Sequence, residues 1–125
     1  MKIKEAIAQV QDLAPDVKDT GSYILWLSRL DWQVKKEILD NYTDEVEYNG
    51  YTSETSTDTV LLVPPPYDEM YVRYLEAQLY RRLKETVNYN NAIVEFNAIY
   101  KRFEAQYNRD HTPKKPHRFS FYGGV

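Results

Sequence analysis

Val60-Leu61-Leu62-Val63-Pro64-Pro65-Pro66-Tyr67-Asp68-Glu69-Met70 is the stretch from which the rest of this chain can be read. An apolar, β-type run stops on consecutive prolines, and a helical pattern then continues as far as Asn108. Proline has no N–H to give a strand ladder and fixes its own φ, so a strand must end there. Asp68 and Glu69 fall in the first turn of the following helix, where carboxylates interact well with the unpaired N–H groups. Beyond them Tyr71, Leu75, Leu79 and Leu83 share one line, with Met70, Val72 and Tyr74 beside it. Further on, Tyr89, Ile93, Phe96, Tyr100, Phe103 and Tyr107 recur at spacings of 4, 3, 4, 3 and 4. That heptad-like spacing predicts a long seam against another helix. One unbroken helix from Tyr67 to Asn108 would be about 60 Å long, too long for a small domain, so a break is expected within Leu83–Asn88.

Upstream, Ile3, Ile7, Val10 and Leu13 form one face of a short helix ended by Pro15. After a polar connector, Ser22 is placed to cap a second helix with apolar positions Tyr23, Ile24, Leu27, Leu30, Val34 and Ile38. Trp26 and Trp32 flank that stripe as core-edge residues, and the helix should fray near Tyr42. Val46, Tyr48 and Tyr51 surround Asn49-Gly50, a strong turn signal, but Thr52–Asp58 is polar and shows no alternation. The expectation is a strand near Glu45–Tyr48, a loop, and a return strand at Thr59–Val63, a ribbon that must pack on the helices. After Asn108 the chain carries Pro113 and Pro116, then Phe119-Ser120-Phe121-Tyr122. The expected fold is mainly α: a bundle of about four helices with a small two-stranded β ribbon and an extended C-terminal tail. Residues 1–110 form the helical domain, with the ribbon near 45–63, and residues 111–125 form the tail.

Composition narrows the function. A chain of 125 residues, 42% apolar and 28% charged, is expected to be one soluble domain. A net charge of −3 argues against a dedicated nucleic-acid binder, and the absence of cysteine removes disulfides, thiolate metal sites and cysteine nucleophiles. The start, Met1-Lys2-Ile3-Lys4-Glu5, does not lead into a signal-peptide core, and no run approaches the roughly eighteen apolar residues of a membrane span. Asn41-Tyr42-Thr43 matches a glycosylation sequon and is read as chance. A cytoplasm, or a particle assembled in one, is the expected location. Tyrosine occurs 12 times against 4 phenylalanines, a balance that suits interfaces and semi-wet cores. Charge is segregated: Glu37–Glu69 holds acidic residues and no Lys or Arg, whereas Lys101–Arg118 is mainly basic. Such a split suits head-to-tail contact with copies or neighbours.

No enzyme motif is present, neither a glycine-rich phosphate loop nor a nucleophile elbow, and no cofactor is implied. Asp110, His111 and His117 sit on the proline-broken tail without a third ligand at a fixed spacing, so a solvated tail is the expectation rather than a metal site. Asp68 and Glu69 are read as helix-start charges rather than a hydrolytic pair. Arg73, Arg81 and Arg82 interleave with Tyr74 and Tyr80, a mix able to stack on nucleic acid, yet a solvated face or subunit contact is the simpler reading. Within the acidic stretch, Glu45, Glu47, Glu54 and Asp58 are candidates for a channel lining or a subunit contact. Phe119, Phe121 and Tyr122, behind Lys114, Lys115 and Arg118, read as a docking arm that adds a strand to a neighbour. The alternative folds that strand onto Thr59–Val63 of the same subunit.

A family resemblance joins these features. It rests on Leu61–Tyr71, Leu75-Glu76-Ala77-Gln78, Tyr89-Asn90-Asn91, Phe96-Asn97, and Tyr107-Asn108-Arg109-Asp110-His111-Thr112-Pro113. Trp26-Leu27-Ser28-Arg29-Leu30-Asp31 and Lys35-Lys36-Glu37-Ile38 add to it. Over roughly residues 3 to 113 the chain resembles head–tail connector (adaptor, or neck) proteins of tailed bacteriophages and prophages of low-GC Gram-positive bacteria. The resemblance implies a structural virion protein of the neck, made in the host cytoplasm. Such a subunit joins a ring, commonly of twelve copies, beneath the portal protein. It would also meet downstream head-closure or tail proteins, and DNA would pass through the ring without sequence-specific contact or any membrane. Relatives often carry glycine where this chain has Lys84. Another neck or tail-completion protein is the runner-up, and a small DNA-binding regulator is the third reading.

Overall fold

The computed structural model describes residues 1–16 and 20–114. Four α-helices organise them: α1 (Ile3–Val10), α2 (Thr20–Glu37), α3 (Glu69–Arg82) and α4 (Thr86–Asp110). Short 3-10 turns follow α1 at Gln11–Leu13 and α2 at Leu39–Asn41. The second helix therefore begins two residues before Ser22, which lies inside its first turns. Helix α3 is central and touches the other three, its most extensive partner being α4. This position explains why it is buried on more than one side: Met70, Tyr71, Val72, Leu75, Ala77 and Leu79 are all buried.

The α3–α4 pair is an antiparallel hairpin. Tyr74 packs on Phe96 and, seven residues back along the chain in the turn that leads into α3 and seven on along α4, Tyr67 packs on Phe103, with ring centroids 5.5 and 5.7 Å apart. The expected break lies at Leu83–Glu85, where the last turn of α3 closes in a Schellman arrangement. The Glu85 N–H donates to the Tyr80 carbonyl at 2.9 Å and the Lys84 N–H to the Arg81 carbonyl at 3.2 Å. Lys84 occupies the left-handed position of that motif, with φ +61°, a conformation that favours glycine. The seam on α4 is Ala92, Phe96, Ile99 and Phe103, with Tyr89, Ile93, Tyr100 and Tyr107 only partly buried along its edges. The tyrosines expected in the centre of the seam thus line its margins, where their hydroxyls reach water or polar partners.

The two-stranded ribbon is not found: among the described residues there is no strand, only isolated antiparallel bridges at Lys2–Val60 and Tyr42–Pro113. The segment after Thr57 pairs with the chain's beginning instead. Ile3 and Lys4, whose N–H groups have no partner within α1, donate to the carbonyls of Thr59 and Thr57 at 3.0 Å each, and Leu61 donates to Met1 at 2.9 Å. A helix start full of unpaired donors competes better for these carbonyls than a four-residue strand would. Residues 45–48 face α2, with Tyr48 buried against Trp32 at 4.8 Å between centroids. Gly50, at φ +87°, passes so close to Trp32 that a Cβ there would sit 3.1 Å from the indole nitrogen. Of the tail, residues 112–114 run back along 41–43: Thr43 donates to Thr112 and Lys114 to Asn41, each at 2.9 Å. The strand expected at residues 119–122 lies outside the described residues.

Truncating Phe96, which is 6% exposed, to alanine should cost about 3–5 kcal/mol in urea denaturation, and a loss under about half a kcal/mol would remove it from the seam. Lys84→Gly should raise stability by about 0.5–1 kcal/mol by relieving the left-handed backbone, whereas Lys84→Val should lower it.

Candidate functional site

The polar centre of the molecule is Asp31, a fully buried carboxylate on the inner face of α2. Its Oδ1 accepts a hydrogen bond from the Tyr71 hydroxyl at 2.6 Å. Its Oδ2 accepts one from the Tyr51 hydroxyl and one from the Leu62 N–H, the latter at 3.2 Å. The Tyr71 oxygen in turn accepts from the Val63 N–H at 2.8 Å. One helical turn earlier, Ser28 Oγ accepts from the Tyr51 N–H at 3.0 Å, and the Ser28 carbonyl accepts from the Tyr48 hydroxyl at 2.9 Å. Burial raises the Asp31 carboxyl above its ordinary range, opposed by the donors from Tyr51, Tyr71 and Leu62. Burial likewise raises the tyrosines, Tyr48 to about 12 and Tyr71 well above its ordinary value, so all stay protonated and act as donors near neutrality. Every polar group in this cluster is aimed at another protein group, and the Tyr71 ring is fully buried. It is a structural clasp holding residues 48–63 on α2 and α3. Sequence reasoning did not single it out; the signal was Ser28 and Asp31 standing between Leu27, Leu30 and Val34 on an otherwise apolar face.

The accessible candidate lies just beyond the C-terminal end of α2, at Leu39. A mainly apolar cleft of about 520 Å³ runs between the triple-proline segment and the last turns of α4, lined by Leu39, Val46, Leu62, Pro64–Pro66, Tyr67, Phe103 and Tyr107 together with Gln106, Asp110 and His111. The pyrrolidine rings form one wall because a proline run can enter neither a ladder nor a helix interior, and all three prolines are exposed. The other wall is an aromatic row. Phe103 and Tyr107 lie 5.7 Å apart, Tyr42 meets Tyr107 edge-on at 5.0 Å, and His111 stacks on Tyr107 at 3.7 Å. Helix-end contacts fix that row. The Tyr42 hydroxyl donates to Asn108 Oδ1 at 2.9 Å, and His111 Nδ1 lies 3.0 Å from the Tyr107 carbonyl.

A second, polar cleft of about 680 Å³ adjoins the first and shares Leu39 and Val46 with it. Asp40, Asp44, Glu45 and Glu47 line it together with Lys35 and Lys114. The sequence candidates thus divide. Glu45 and Glu47 meet in this acidic lip, exposed and without an ion pair among the described residues. Glu54 and Asp58 do not line it; they lie on the exposed 52–58 loop, where Asp58 pairs with Lys4 at 2.6 Å. Lys114 lies in the acidic cleft, while Lys115, Arg118, Phe119, Phe121 and Tyr122 lie outside the described residues.

Of the tyrosine–arginine helix face, Arg73 is held by three carboxylates: Glu76 at 2.7 Å, Glu95 at 3.1 Å and Glu69 at 3.2 Å. Arg82 lies over the Trp26 ring at 5.7 Å and Arg81 donates to Gln78. Arg73 is therefore engaged within the α3–α4 hairpin rather than presented to a phosphate. Among the described residues no group of three or more His, Cys, Asp or Glu is placed to hold a metal, and no helix is long and apolar enough to cross a membrane. Asp110 accepts from Gln106 at 2.9 Å and His111 is stacked on Tyr107; His117 lies outside the described residues. Comparison of the chain with protein-family models, with curated proteins and with solved structures finds no match in any of the three.

The raised carboxyl of Asp31 has a definite pH signature. The folded chain keeps this proton at pH values where the unfolded chain has lost it, so its contribution is most favourable in acid and declines as pH climbs through the raised pKa. Measured from about pH 4 upward by urea denaturation, the wild type should lose stability relative to Asp31→Asn, by at most about 1.4 kcal/mol per pH unit. A gap independent of pH would show that Asp31 is ionised to the same extent in both states.

Proposed function

We propose that this chain is a non-enzymatic structural subunit of a tailed-bacteriophage neck, a head–tail connector that forms a ring beneath the portal. The observation that carries the reading is a surface and its chemical complement on one chain. An exposed apolar cleft with an acidic lip at Asp44, Glu45 and Glu47 stands on a protein whose C-terminal end is basic and aromatic. A patch that complements a different patch of an identical copy makes a heterologous contact, and such contacts close into rings when the rotation allows. The sequence resemblance to connector proteins supplies the setting: the virion neck, about twelve copies around passing DNA, the portal on one side, and head-closure or tail proteins on the other. Residues 111–125 serve as a docking arm in this reading, and no cofactor takes part. The engagement of Arg73 by three carboxylates favours an assembly role over a DNA-binding regulator.

Native mass spectrometry tests the reading. The isolated protein should be monomeric or weakly associated, and mixing with a portal ring from a low-GC Gram-positive phage should give a complex of defined, multiple stoichiometry. A tight symmetric dimer in isolation, with the same patch buried on both subunits, would overturn it.

A further inference from the structure

We infer that the end of the molecule where α2 begins and α3 stops is a docking site for a carboxylate, presented by an acidic side chain of a protein partner and held by Tyr23, Arg82 and Trp26. Tyr23 is fully buried, yet its hydroxyl has no hydrogen-bond partner among the described residues. A buried donor left unpaired carries the whole cost of its desolvation, and such groups are rare in folded proteins. Burial raises the Tyr23 phenol above its ordinary value, opposed by the Arg82 charge, so the hydroxyl keeps its proton near neutrality and acts as a donor.

Arg82 stands close by. Its guanidinium lies over the Trp26 ring at 5.7 Å, and the same ring meets Tyr23 edge-on, with centroids 5.7 Å apart. Arg82 is exposed and makes no ion pair among the described residues, whereas Arg73 on the same helix is held by three carboxylates. Two donors that share one indole, one neutral and one cationic, thus lack the same thing, an acceptor, and an anionic acceptor makes the stronger bond to each. A carboxylate has two oxygens, one for the guanidinium and one for the hydroxyl, and the long, exposed Arg82 side chain shifts on the indole to admit it. Next to Trp26 and Arg82 in the chain, Leu25 and Leu83 are 48% and 44% exposed, apolar surface that suits a protein segment better than a phosphate chain. The site is independent of the connector reading: a chain of any function could use it to hold an acidic residue set among apolar ones.

The test titrates isotope-labelled full-length protein with the peptide acetyl-Leu-Glu-Leu-amide and, separately, with its Gln counterpart, following the Trp26 indole N–H and the Arg82 Nε–H by NMR. The Glu peptide should shift both resonances with a Kd of about a millimolar and leave the Trp32 indole in place, and the Gln peptide should shift neither at the same concentration. Equal shifts with both peptides, or none with the Glu peptide up to about 10 mM, would overturn the proposal. So would inorganic phosphate binding more tightly than the Glu peptide, which would assign the site to a phosphate ligand. Tyr23→Phe should weaken the Glu peptide about tenfold, the loss expected for one hydrogen bond to a charged group. It should not lower the urea midpoint of the free protein, because the hydroxyl has no bond there to lose. A lowered midpoint, or an unchanged affinity, would show that the hydroxyl serves the free fold and not the carboxylate, and would overturn the assignment.

Discussion

One buried carboxylate sets the terms for the middle of this protein. Between α2 and α3 the chain runs from Leu39 to Asp68 without a strand, so the N–H groups it buries have no ladder to satisfy them. Asp31 and Ser28 supply the acceptors that a second strand would have supplied. Leu62 donates directly to Asp31, Val63 donates to the Tyr71 oxygen, and Tyr51 donates through both its N–H and its hydroxyl. Removing a carboxylate from water costs several kcal/mol, and the donors, each stronger toward a carboxylate than a neutral hydrogen bond, offset part of that cost, the remainder showing as the raised Asp31 carboxyl. Because the donors come from α3 and from two points on the connecting segment, Asp31 fixes where that segment lies on the helices.

The same cluster accounts for much of the tyrosine excess. Tyr48, Tyr51 and Tyr71 each bury a ring and deliver a hydroxyl proton to α2, a combination that phenylalanine cannot provide. Tyr42 and Tyr100 do the same at the margins, donating to Asn108 at 2.9 Å and to Glu37 at 2.6 Å. Tyrosine is thus used less as an interface residue than as a pin between an apolar core and scattered acceptors. Its hydroxyls join elements distant in sequence, where a small domain has few other long-range polar ties.

The helices were legible because each has a periodic apolar face, and the break between α3 and α4 was legible from length alone. Its chemistry was not: Lys84 at φ +61° sits where sequence rules look for glycine, and only the hydrogen bonds of Glu85 and Lys84 back to α3 disclose the motif. The seam drifted by one position because Ala92 and Ile99 fill the interior, leaving Tyr89, Ile93, Tyr100 and Tyr107 on its edges. Alternation at Glu45-Val46-Glu47-Tyr48 resembles a strand, yet a pattern of period two says only which side is buried. Here the buried side faces a helix, and the Thr57–Leu61 carbonyls and N–H groups are taken by the start of α1. Asp31 was hidden for a related reason, since a lone carboxylate on a helix reads as solvated until its tertiary donors are known. The acidic candidates were half legible. Sequence placed four carboxylates in one zone, and folding separated Glu45 and Glu47 from Glu54 and Asp58.

The proline run connects the clasp to the cleft. Leu61 and Val63 are buried and Leu62 donates to Asp31, so the chain enters Pro64 with its direction fixed by the core. Pro64–Pro66 then cannot bury themselves by pairing, because they have no N–H to exchange, and the Pro64 carbonyl instead accepts from the Tyr67 N–H at 3.1 Å on the way into α3. What remains is a stiff apolar wall standing opposite Phe103 and Tyr107, whose own positions are set by the α3–α4 register through Tyr67. The cleft is therefore held on both sides by buried contacts rather than formed by loops free to close. A preformed surface of this kind would cost little free energy to order on contact with another molecule.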